Sequence, residues 1–159
     1  MIQSYFQAEK TGGQIALAIG IAACSIGGGI LLSAGAPFYT GLAIPLVVIG
    51  IIQVMVGATV ARRSDRQAED LEKLQAESAA EFRAVESPRM ARVLRSFTIY
   101  KAVELALLAM GLALILLNKE LNFSKGLGAG LFAQSVIMLV FDYFAEKRGK
   151  KYAEFVEQS

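Results

Sequence analysis

The chain has 159 residues, 55% hydrophobic and 19% charged, with a net charge of +2 and a mean hydropathy of +0.49. A soluble domain carries about a quarter charged residues, and from Thr11 to Ala61 there is no Lys, Arg, Asp or Glu at all. The small net charge gives no reason to expect nucleic acid. One cysteine excludes an intrachain disulfide, and the absence of histidine removes the commonest metal ligand and general base, so no catalytic residue, metal or cofactor is expected.

In chain order, residues 1–12 form a short polar segment in which Ile2, Tyr5 and Phe6 suit an interfacial anchor. Residues 13–61 hold two spans. The first, Gly13–Ser33, carries small residues at Ala16, Gly20, Ala23 and Gly27 on one helical face. A turn-forming connection with Pro37, Phe38 and Tyr39 leads to the second span, Leu42–Ala61, where Pro45 is expected in the first turn. Small residues recur there every seven positions, at Ala43, Gly50 and Gly57. In lipid, helices gain nothing from hydrophobic exclusion of one another, so small residues that admit close backbone approach are the expected packing device.

Residues 62–96 change character, with eight basic and seven acidic side chains. Leu71, Leu74, Phe82 and Val85 keep a helical period, and Ser87-Pro88 reads as the start of a new helix. This segment is expected to be a charged helical hairpin that extends spans two and three, either as a solvated connector or, alternatively, as a docking surface for a protein partner or a second copy. Residues 97–145 hold spans three and four. Span three, Phe97–Leu117, has an alanine stripe at Ala102, Ala106, Ala109 and Ala113, with Glu104 and Gly111 on the opposite face. Both faces thus look specified, which predicts a central position for span three. Span four, from near Ser124 to near Ala145, carries Gly126-x-x-x-Gly130. The tail, 146–159, pairs Lys147, Arg148, Lys150 and Lys151 with Tyr152, Phe155 and Val156 on a helical face, the pattern of a basic amphipathic helix on anionic headgroups.

Each span of about 20 residues covers about 30 Å of hydrocarbon. Most basic residues fall before span one, between spans two and three, and after span four. The positive-inside rule then places both termini and the middle segment in the cytoplasm. The expected fold is all-α, an integral membrane four-helix bundle in the plasma membrane, or the inner membrane of a bacterium.

Polar side chains in the spans gather near one depth. Glu104 lies seven residues inside span three, about 10 Å, with Gln53 of span two at nearly the same level and Lys101 and Asp142 nearer the edge. Gly20 of span one reaches this depth, where it would leave room for a neighbour, while Gln134 lies deeper. A Lys101–Glu104 ion pair, joined by Asp142 or Gln53, is expected to clamp the bundle; an intramembrane carboxylate is otherwise a candidate functional group.

Glu86-Ser87-Pro88-Arg89-Met90, then Phe97-x-x-Tyr100-Lys101-x-x-Glu104, then Phe141-Asp142-x-Phe144-Ala145-Glu146-x-Arg148-Gly149 resemble a pattern in uncharacterised small bacterial membrane proteins. That resemblance implies four spans and no particular activity. The expected function is non-enzymatic, through protein–protein contacts, as a membrane subunit, adaptor or toxin-immunity protein, with the bilayer, a partner protein or a second copy as what it touches. The alternative is a small dimeric proton- or cation-linked transporter or channel built on Glu104.

Overall fold

The computed structural model describes residues 1–33 and 35–159. They form four helices: α1 (Ile2–Ser33), α2 (Pro37–Glu77), α3 (Ala79–Leu117) and α4 (Phe123–Gln158). Each is long and apolar enough to cross a membrane, which is the architecture of a multi-pass membrane protein. The helices have 32, 41, 39 and 36 residues. At 1.5 Å per residue they measure about 50–60 Å, well beyond the roughly 30 Å of bilayer hydrocarbon. The excess lies at one end of the molecule, where α1 begins, α2 gives way to α3, and α4 finishes. This is the charged end.

The helix termini explain where the sequence boundaries move. α2 begins at Pro37 rather than Leu42, since proline at N1 loses no intrahelical bond. Pro45 therefore lies in the third turn, not the first, and has no N–H to offer the Gly41 carbonyl. A single non-helical residue, Ser78, separates α2 from α3. Its hydroxyl accepts from the Glu81 amide at 3.2 Å, so Ser78-Ala79-Ala80-Glu81 starts α3 with the serine half of a capping box. α3 consequently begins nine residues before Pro88 and runs through it, correcting the predicted start at Ser87-Pro88. At the opposite end, Asn122 caps α4 by accepting from Lys125 N at 2.9 Å, and Asn118 bonds back to the Leu114 carbonyl at 2.8 Å.

The packing order is α1–α2–α4–α3. α2 and α3 touch far less than either touches α4, and α1 meets α4 only slightly. α1 and α2 run antiparallel and interlock through two rows of small residues. Gly13 lies against Gly57 and Ala61, Gly20 against Gly50 and Val54, and Gly27 against Ala43 and Val47. Gly13 thus stands in the row, while Ala16 is only half-buried. A Cβ on Gly20 would come within 2.7 Å of the Gly50 carbonyl oxygen, and one on Gly57 within 2.6 Å of that of Gly13. On α4, Gly126 meets Phe38 and Gly130 meets Leu42 and Pro45 of α2, whereas Gly128 faces Gly111 of α3.

Two expectations about burial are reversed. Span three is not central. It lies at the edge of the layer and its apolar window is the least buried of the four. Its alanine stripe, Ala102, Ala106, Ala109 and Ala113, faces outward and is exposed. The second reversal is at the charged end, where the N-terminal segment and the tail are core elements rather than interfacial ones. Ile2, Tyr5 and Phe6 of α1, Ala68 of α2, Phe82 and Met90 of α3, and Tyr152 and Val156 of α4 form one buried cluster. Leu71 and Leu74 border it, while Val85 points away and is exposed. The apolar face of the tail is therefore occupied by protein and does not lie on a leaflet. Along the spans the pattern inverts: Ile21, Ile26, Val48, Met55, Leu105 and Val140 are all exposed. Large apolar side chains are hidden where water would surround them and displayed where lipid would.

Candidate functional site

Two polar assemblies are buried, one within the spans and one at the charged end. In the spans, α2 and α4 run parallel and bring Gln53 to Gln134, whose side chains share a buried hydrogen bond of 3.1 Å, Gln53 Nε2 donating. Gln134 is thus part of the layer rather than a separate, deeper group. Glu104 is 1% exposed on the α3 face turned to α4. Among the described residues no N–H or hydroxyl donor reaches its carboxylate oxygens, and Ser135 Oγ and Gln53 Oε1 are likewise without a partner. Asp142, half-buried on α4, is the acidic neighbour of Glu104.

The expected Lys101–Glu104 pair is not formed. Lys101 Nζ instead bonds Glu146 Oε2 of α4 at 2.6 Å, and the other oxygen of Glu146 takes Lys150 at 2.9 Å. The physical reason is the length and polarity of lysine. Its ammonium extends toward the charged end, where water is close, while its stem stays among apolar groups. Glu104, one turn further along the same α3 face, is enclosed in the contact with α4 beside Asp142. Gly20 contributes no room to this layer, because Gly50 and Val54 press directly on it. α1 therefore takes no part in it. Among the described residues no group of three or more Cys, Asp or Glu side chains gathers as a metal site.

At the charged end the centre is an ion pair absent from the predicted site. Glu86 has no exposed surface, and Arg89, three residues on, donates to both its oxygens at 2.7 and 2.6 Å. The guanidinium lies 5.4 Å from the centre of the Phe6 ring of α1. Tyr5 of α1 stacks on Tyr152 of α4 with ring centres 4.1 Å apart and planes 4° from parallel. Its hydroxyl donates to Glu9 at 2.8 Å.

The electrostatics of this second core lie outside the apolar stretches. Burial, with Glu9 beside it, pushes the Tyr5 phenol well above its usual range. Burial and then Glu86 do the same to Tyr152. Burial opposes the charge of Arg89, but its bonds to Glu86 outweigh that and raise it above its ordinary value. Both tyrosines stay protonated and Arg89 stays charged near neutrality. The arrangement is a clamp joining three helices.

Some residues of the three motifs quoted from the sequence fall on these contacts, while Tyr100 and Phe144 are exposed. Glu86, Arg89 and Met90 are in the second core, Lys101 meets Glu146, and Gly149 receives Leu94 and Met90. The remaining headgroup candidates differ among themselves: Lys147, Lys150 and Lys151 are exposed and Arg148 is half-buried. No family model, curated protein or solved structure matches this chain.

Proposed function

We propose that the protein is a non-enzymatic multi-pass protein of the plasma membrane, or a bacterial inner membrane, that works by holding a partner against its helices. The partner is a membrane protein or a second copy, in the manner of a subunit, adaptor or immunity protein. Both termini and the charged end lie in the cytoplasm, a placement supported by the concentration of Lys and Arg there. The observation that carries this reading is the outer face of α3. Ala102, Ala106, Ala109 and Ala113 form a continuous exposed row on a helix that has only α4 as a close neighbour. Such a row lets another helix approach closely, and the second core holds α3 rigid while it does so.

The test is a photoreactive residue placed at Ala106, with Met55 on α2, also exposed, as the control site. In native membranes a discrete protein adduct is expected at Ala106 and not at Met55, lost when Ala109→Trp fills the row. Lipid adducts alone at both sites would refute the contact reading.

A second reading has its own observation. Glu104 is buried in the α3–α4 contact next to Asp142, a juxtaposition of two carboxyl groups that supports a proton- or cation-linked passage. Flux into proteoliposomes decides it. Glu104→Gln is expected to cut flux at least tenfold if the carboxylate carries the ion, and unchanged flux removes it from the mechanism.

A further inference from the structure

Because α2 lies between them, α1 and α4 leave a groove of about 700 Å³ near the charged end. Its walls change character along its length. Toward the spans they are Ile15, Val140, Phe141 and Phe144; toward the charged end they include Gln7 and Arg148. No Asp or Glu lines it. The change falls where the apolar stretches of α1 and α4 give way to polar sequence, so the groove straddles the edge of the hydrocarbon.

Arg148 is the group at that edge. Among the described residues its guanidinium joins no ion pair, and its buried Nε has no hydrogen-bond partner. It sits against Gly12, where an added Cβ would lie 3.4 Å from Nη2. Lys147, Lys150 and Lys151 around it stand exposed, with Lys150 on Glu146. Two hydroxyls of the groove donate to backbone carbonyls, Ser4 to Met1 and Thr11 to Gln7. The donors left for a guest are therefore Arg148 and the Gln7 amide.

We propose that this groove binds one anionic phospholipid, its phosphate against Arg148 and Gln7 and an acyl chain along Ile15, Val140 and Phe144. An unpaired guanidinium matches a phosphate through two parallel hydrogen bonds, stronger here for lying beside hydrocarbon. The apolar half of the groove has no use for a free anion, and at the polar half a choline ammonium tethered to the phosphate would be repelled by Arg148, whereas a glycerol headgroup would not. The volume is that of a small-ligand cleft, about 300–1,000 Å³, too little for a partner helix. This binding does not depend on whether α3 holds a partner.

The experiment is native mass spectrometry of the full chain in detergent doped with phosphatidylglycerol or with phosphatidylcholine of identical chains. A single phosphatidylglycerol adduct is expected, retained at least tenfold over phosphatidylcholine. Arg148→Gln should abolish that preference, Lys147→Gln with Lys151→Gln should leave it, and Gly12→Leu, which fills the groove with Arg148 intact, should weaken both adducts. Inorganic phosphate in excess should not displace the lipid. Equal retention of the two lipids overturns the proposal. So does loss of preference in the lysine variant as large as in Arg148→Gln, or displacement by phosphate alone.

Discussion

Glu86 shows most plainly how a charged side chain survives without exposed surface. Arg89 grips both its oxygens from one helical turn away, and the Phe6 ring covers the guanidinium from α1. Removing one partner of such a pair strands the other and costs about 3–5 kcal/mol, whereas replacing both with apolar groups is close to neutral. Glu86→Ala is therefore expected to lower the stability of the charged end by about 3 kcal/mol, with Glu86→Leu/Arg89→Met much closer to wild type. Tyrosine fluorescence during denaturant unfolding reads this without interference, since the chain has five Tyr and no Trp. Equal losses in both variants would show that the pair itself, rather than the stranded charge, stabilises the fold. In the sequence Glu86 was one of seven acids in a balanced segment. Its burial depends on Phe6 and Tyr152, more than sixty residues away on either side, which no local pattern reports.

At the scale of the helices, close approach decides the packing. Gly20 and Gly29 are both helical glycines of α1, yet Gly20 touches the α2 backbone and Gly29 has nothing within 4 Å of its missing Cβ. Gly20→Leu is expected to force α1 off α2 and destabilise by about 1–3 kcal/mol, as overpacking does. Gly29→Leu is expected to be neutral or slightly stabilising, since glycine is a poor helix former. Helical circular dichroism during thermal unfolding in one detergent compares them, and equal midpoints would contradict the interlock. The first two spans were readable because fifty residues without a charge leave no alternative to lipid, and the last two because each is an apolar run of about 20 residues with few charges. The heptad of Ala43, Gly50 and Gly57 was readable too, and so was its partner row at Gly20, Ala23 and Gly27; only the first member differs, Gly13 standing where Ala16 was expected. Ser78 was passed over as a helix start although Ser78-x-x-Glu81 was present, because the periodicity ran on through it. The alanine stripe of α3 was read as an inner contact face and lies outside, since a small residue fits either a helix contact or lipid.

For the whole molecule, the helices form an open layer in the apolar half and close around a second core in the charged half. The two halves obey opposite rules. The apolar half exposes Ile, Leu, Val and Met and hides glycine, glutamine and Glu104; the charged half exposes Lys, Arg and Glu and hides Phe, Tyr and Met90. The joint between them was legible as a change in composition. That α2 and α3 cross it was legible too, since the charged segment reads as their helical extension; that α1 and α4 do so was not, because the N-terminal segment and the basic tail read as separate interfacial pieces.

Everything follows from the two halves meeting different solvents, and the most direct check is where the intact chain goes without detergent. Membranes washed at high salt and high pH are expected to keep all of it, releasing the chain only when detergent dissolves the bilayer. Recovery of folded, monodisperse protein in the wash would mean that water, not hydrocarbon, surrounds the exposed apolar faces, and would contradict the account.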